Sequence, residues 1–134
     1  GGIALITTPN IKMTLTRNPW HIREYTSKQL RDLCKKYFSS VEVNGISGNE
    51  KVIKYYNQNL DSVQRFKKLD VFNLEKRLPN FIYKIPYEIL NRMNRNNLKK
   101  NDDKLVSSIT YKDYELVKDS PTNLDLFLVL RKNK

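Results

Sequence analysis

The chain predicts an α/β fold, and three segments carry the prediction. Ile3-Ala4-Leu5-Ile6-Thr7-Thr8 is a near-continuous apolar run rich in β-branched residues, the pattern of a strand covered on both faces. Leu30, Leu33, Cys34, Tyr37 and Phe38 recur at i, i+3, i+4, i+7 and i+8, one apolar stripe of a helix. Leu126-Phe127-Leu128-Val129-Leu130 is again almost wholly apolar. Such a run near the C-terminus reads as a strand inserted between two others rather than at an edge.

The elements follow in order. The first strand ends at Pro9-Asn10, and a polar loop leads through Asn18-Pro19-Trp20-His21-Ile22-Arg23-Glu24-Tyr25. Ligands of open α/β sheets sit beyond the carboxyl ends of strands, on loops placed like this one. The helix over 26–38 opens with Thr26 and Gln29, the T-x-x-Q spacing of a capping box. Lys28, Arg31, Lys35 and Lys36 take its polar face. Cys34 lies in the apolar stripe, the place of a small core residue rather than a nucleophile. Val41, Val43 and Ile46 alternate with Glu42 and Asn44, and Gly45 and Gly48 close the run, which suits a strand at a sheet edge. Asn49 is a good N-cap for a long helix to about Lys68, with Val52, Ile53, Tyr56, Leu60, Val63 and Phe66 apolar.

From Asp70 to about Asn97 the pattern gives shorter helical pieces broken at Pro79 and Pro86, carrying Phe72, Leu74, Leu78, Phe81, Ile82, Ile85, Ile89, Leu90 and Met93. Residues 96–104 are rich in Lys, Asn and Asp and read as a loop. Tyr114 to Val117 is a short strand or a turn, Ser120-Pro121-Thr122-Asn123 is a turn, and Leu124 to Arg131 is the last strand.

A chain of 134 residues suggests one domain, large enough to hide roughly two-thirds of its unfolded surface without staples. The single cysteine, Cys34, excludes a disulfide framework and a thiolate zinc cluster. The single histidine, His21, leaves little for a metal site built on imidazoles, and no metal is expected. No signal peptide or membrane-length apolar run is present, so a cytoplasmic protein is expected. The net charge of +11 raises nucleic acid as a partner, but the basic residues are dispersed and no recognition motif accompanies them, so nucleic acid is the disfavoured reading. The opening Gly1-Gly2 reads as a turn into the strand, with more sequence expected upstream.

At this point the residues resemble a known family. A strand ending in Thr-Pro-Asn, then Asn18-Pro19-Trp20-His21-Ile22-Arg23-Glu24-Tyr25-Thr26, a capped helix, a strand and a final Asp125-Leu126-Phe127-Leu128-Val129-Leu130-Arg131-Lys132 resemble the carboxyl half of class I S-adenosylmethionine-dependent methyltransferases, the small-molecule group. The resemblance covers residues 1–48 and 108–132. It implies a Rossmann-like sheet whose strands 5, 7 and 6 are Ile3–Thr8, Leu124–Arg131 and Val41–Ile46, in the order 5-7-6, with the seventh antiparallel between the other two. Residues 1–134 would then be the C-terminal part of a methyltransferase domain, with a helical insertion at about 49–107. The family's glycine-rich turn and the acidic residue that binds the cofactor ribose have no counterpart here. S-adenosylmethionine is therefore expected in the complete enzyme only, its site is not contained in this chain, and the isolated chain is expected to be inactive.

The resemblance implies a small-molecule methyl acceptor. Such an enzyme chiefly positions the acceptor and excludes water, and a base is needed where the acceptor must lose a proton. His21 is the candidate base, with Glu24 orienting it or acting alone. Trp20 and Tyr25 are candidates to wall the acceptor pocket, Asn10 and Asn18 to hydrogen-bond the acceptor, and Arg23 to hold an anionic group. Structural readings stand beside these: His21 fixing the loop through a backbone group, Arg23 and Glu24 in local ion pairs, Trp20 plugging the loop–helix junction, Tyr25 as a hydrophobic staple.

The insertion reads as a helical lid, as a cover of the acceptor pocket through Tyr55, Tyr56, Phe81 and Tyr83, or as a peripheral membrane contact. Phe81 to Tyr87 followed by Arg92, Arg95, Lys99 and Lys100 has aromatic and basic character. The edge of strand 3–8 invites pairing, either with the missing N-terminal half or with a second copy. The alternative function is a non-catalytic interaction module derived from a split methyltransferase.

Overall fold

A computed structural model describes residues 1–69 and 77–133. The fold is mixed α/β. The strands are β1 (Gly2–Pro9), β2 (Ser40–Gly48), β3 (Tyr114–Lys118) and β4 (Asp125–Lys132), in one sheet of order β1-β4-β2-β3. Each hydrogen-bonded strand pair is antiparallel. The last strand lies between the first and second and opposes both, so β1 and β2 run in the same direction without touching. The helices among the described residues are α1 (Ser27–Cys34), α2 (Glu50–Leu69) and α3 (Asn80–Ser108), with a 3-10 turn at Tyr111–Asp113. The chain divides into a sheet unit (Gly1–Thr14, Arg23–Gly48 and Tyr114–Lys134) and a helical unit (Leu15–Ile22 and Asn49–Asp113).

In the sheet unit one face is closed by α1. The register aligns Ala4 with Leu130 and Val41, and Ile6 with Leu128 and Val43. Leu126, Leu128 and Leu130 have no exposure, and they cluster with Leu30, Cys34 and Val43. Burying such a leucine is worth roughly 1.5–3 kcal/mol, so the apolar run of β4 anchors the unit. The capping box is formed: Thr26 Oγ1 accepts the Gln29 N–H at 3.3 Å, and Gln29 Oε1 accepts the Thr26 N–H at 3.0 Å. Burial among apolar groups pushes the Cys34 thiol pKa up.

Two strand expectations are corrected. β1 keeps the open edge expected of it, paired to β4 alone, but its side chains are not covered on both faces: Ile3 and Leu5 are 66% and 65% exposed. β2, read as an edge, is interior, with β4 on one side and β3 on the other. Its polar residues Glu42 and Asn44 face away from α1 opposite Val129 and Phe127, so the alternation marks an uncovered face rather than an uncovered edge.

In the helical unit, Asn49 caps α2 as expected, its Oδ1 accepting the N–H groups of Lys51 and Val52. α2 and α3 pack together with Val52, Tyr83 and Leu105 buried. Between them Asn94 Nδ2 donates to Asn59 Oδ1 at 2.6 Å, and the Ser62 hydroxyl donates to Asn94 Oδ1. The expected break at Pro86 and loop over 96–104 are also corrected. α3 runs through both and is kinked at Asp102 (φ −152°, ψ 64°). Asp102 Oδ1 accepts the Leu105 N–H at 3.1 Å and so caps the turn that follows. The C-terminus of α1 lies at Cys34, with turns over 35–37 where the helix was expected to continue to Phe38. Phe72 and Leu74 lie outside the described residues.

Candidate functional site

The loop that leaves β1 carries all seven residues singled out in the sequence, and the structure distributes them between the two units. Asn10, Arg23, Glu24 and Tyr25 belong to the sheet unit, and Asn18, Trp20 and His21 to the helical unit.

Within the sheet unit Asn10 is a bracket. It is 2% exposed. Its Nδ2 donates to the carbonyls of Asn123 (2.8 Å) and Pro121 (3.2 Å), and its Oδ1 accepts the Lys12 N–H. The Leu124 carbonyl accepts its backbone N–H. Asn10 thus fastens the end of β1 to the β3–β4 turn, and its amide is engaged by the protein where an acceptor contact was expected. The turn is further fixed by Asn123, whose Nδ2 donates to the Lys118 carbonyl at 2.9 Å while its side chain lies over Gly45. Tyr25 bridges to Asn10, its carbonyl accepting the Ile11 N–H, and the Arg23 guanidinium stands 5.0 Å from the centre of the Tyr25 ring. Glu24 Oε2 accepts a hydrogen bond from the Thr14 hydroxyl.

Within the helical unit Asn18, Trp20 and His21 form one tight turn. Asn18 Oδ1 accepts the Trp20 N–H at 3.0 Å, which turns its Nδ2 toward His21 Nε2 at 3.1 Å. In this contact the Asn18 amide donates and His21 Nε2 accepts. The Asn18 carbonyl accepts the His21 N–H, and the imidazole is exposed. Trp20 and, just before the turn, Arg17 meet α3 and the residue ahead of it. Lys84 Nζ lies 3.8 Å from the centre of the Trp20 ring, and the Arg17 guanidinium lies 5.5 Å from that of Tyr83 while its Nη2 donates to the Leu78 carbonyl. Such stacks are worth roughly 0.5–2 kcal/mol. Trp20, 57% exposed, is a platform for a cation here rather than a buried plug.

Arg17, Tyr83 and Lys84 were not singled out as a set, because only the fold brings positions 17–20 to 83–84. Asp113 is another residue the sequence left unmarked. Its carboxylate accepts from the Thr110 N–H (2.8 Å), Lys51 Nζ (3.0 Å) and Asn49 Nδ2 (2.7 Å), which hold its pKa well below the usual carboxylate range. It joins the start of α2 to the 3-10 turn, a structural task.

Among the described residues no group of three or more His, Cys, Asp or Glu side chains could hold a metal ion, and no helix is long and apolar enough to cross a membrane. The four glycines, at positions 1, 2, 45 and 48, form no glycine-rich cofactor turn, and Gly45 is occupied by the Asn123 side chain. Comparison with family models, curated proteins and solved structures found no match to this chain.

Proposed function

We propose that this chain is the acceptor-side, C-terminal half of an S-adenosylmethionine-dependent methyltransferase acting on a small molecule, with a Rossmann-like sheet completed by preceding sequence. The observation that carries the reading is the placement of β4: the last strand lies between β1 and β2 and runs against both. That is the strand arrangement the loop residues had already suggested. The free edge of β1 supports it, as the place where further strands would add.

The proposed chemistry uses the loop. An acceptor hydroxyl or amine that displaces the Asn18 amide meets the lone pair of His21 Nε2, which takes its proton. Trp20, in the same turn as Asn18 and His21, offers an apolar contact to the acceptor.

The test is equilibrium dialysis of labelled S-adenosylmethionine against the natural full-length gene product. Saturable binding is expected, and its absence refutes the proposal. With an acceptor in hand, His21→Ala should slow methyl transfer roughly 10²- to 10⁴-fold while cofactor binding is unchanged.

The free edge of β1, with Ile3 and Leu5 exposed, also favours a second reading, a non-catalytic module that pairs with another chain. Absence of cofactor binding together with a stable complex through β1 would establish that reading in place of the first.

A further inference from the structure

The first turns of α3 expose a set of large apolar side chains to solvent. Phe81 (72% exposed), Ile85 (68%), Ile89 (55%) and Met93 (48%) are successive i+4 positions, and Ile82 (44%) lies beside them. The opposite side of the same helix is the packed one, where Tyr83 and Asn94 are buried. The stripe is about 18 Å long at 1.5 Å per residue. It exposes on the order of 500 Å² of apolar surface, the size at which a patch on a soluble protein marks an interaction site.

Charge identifies the occupant. Arg92, Arg95 and Lys100 are exposed along and just beyond the stripe, and Glu88 is the acidic side chain at its rim. The segment 49–107 as a whole carries 13 Lys and Arg against 7 Asp and Glu, a net +6. A second copy packed in parallel would set Arg92, Arg95 and Lys100 against themselves. The exposed area also falls short of the roughly 800 Å² per partner that a stable interface between proteins buries. An apolar stripe with an adjoining basic end is instead complementary to a bilayer whose headgroups are anionic. The helix is not apolar enough to span, so it would lie in the interface plane.

We propose that α3 docks the protein on anionic lipid surfaces, with Phe81, Ile82, Ile85, Ile89 and Met93 entering the acyl boundary and Arg92, Arg95 and Lys100 meeting the headgroups. The docking does not depend on the methyltransferase reading. The test is co-sedimentation of the full chain with phosphatidylcholine vesicles made with and without phosphatidylserine. Binding is expected to the phosphatidylserine vesicles, at least tenfold weaker to phosphatidylcholine alone, and falling as salt is raised. The double variant Ile85→Glu/Ile89→Glu, whose sites are exposed, should keep its circular dichroism spectrum and lose at least tenfold in bound fraction. An Arg92→Ala/Arg95→Ala variant should lose binding to a smaller extent. No binding to phosphatidylserine vesicles overturns the proposal, as does binding that survives Ile85→Glu/Ile89→Glu intact. A dimer in solution that the same double variant converts to monomer, with no vesicle binding, overturns it in favour of a second copy.

Discussion

Gly45 offers a sharp test of how the sheet unit is held together. A Cβ built at this position would lie 1.6 Å from Asn123 Nδ2, 2.2 Å from its Cγ and 2.7 Å from its Cβ. The two cannot coexist, so Gly45→Ala must expel the Asn123 side chain. The Lys118 carbonyl then loses its partner at 2.9 Å, which costs about 1–3 kcal/mol. Crowding against the displaced turn adds about 1–3 kcal/mol, for a total near 3–4 kcal/mol. Asn123→Gly removes the same hydrogen bond and adds backbone freedom, at about 2–3 kcal/mol. In the double variant the new methyl enters space the asparagine has vacated. Its stability should lie within about 1 kcal/mol of Asn123→Gly alone, a coupling of about 2–4 kcal/mol. Urea unfolding followed by circular dichroism reads all four corners of the cycle. Additive losses, with the double variant near 6 kcal/mol by the same sum, would refute the claim that Gly45 exists to admit Asn123.

Two further outcomes follow from the caps and the buried carboxylate. Thr26→Ala removes the reciprocal bonds that start α1 and should cost about 1 kcal/mol in urea unfolding, with Thr26→Ser close to neutral. Asp113 is held ionised below the ordinary value of 3.8 by the Thr110 N–H, Lys51 and Asn49. A depressed carboxylate contributes stability that is complete above its unfolded pKa and is lost as pH falls below 3.8 toward the folded value. The stability gap between the protein and Asp113→Ala should therefore be widest at neutral pH and narrow below pH 3.8; a gap independent of pH would contradict the assignment.

The parts of the fold legible in the sequence are those set by local rules. The Thr26/Gln29 capping box, the Asn49 cap and the burial of Leu126, Leu128 and Leu130 all follow from spacing within a few residues. Elsewhere one local signal stands for two physical situations. Alternation in Val41–Ile46 marks a half-bare face, and an edge strand looks the same in sequence. Pro86 reads as a stop, yet it removes a single rung of α3, and the turns around it are held by the burial of Tyr83 and Asn94. The Lys/Asn/Asp run 96–104 contains no glycine or proline, and helix continues through it with Asp102 restarting the ladder by capping Leu105. The Asn10–Asn123 bracket joins residues 113 apart in the chain, and no periodicity encodes such a pair.

The buried polar groups narrow where chemistry can reside. Asn10, Asn94, Asp113 and Asn123 are the buried polar side chains among the described residues. Each is taken up in hydrogen bonds to its own unit, and among the described residues no buried side-chain nitrogen or oxygen is left without a partner. A buried polar group committed in this way holds shape; to act on a ligand it would first have to break a bond it has already made. Exposed groups meet a ligand at smaller cost, and the His21 imidazole has only to exchange its solvent-exposed contact with the Asn18 amide. The proposed function places its proton transfer on the imidazole for that reason. It follows that Asn10→Ala should lower stability through the β3–β4 turn by clearly more than His21→Ala, whose exposed contact with Asn18 is worth little to folding and whose loss should be felt chiefly in turnover.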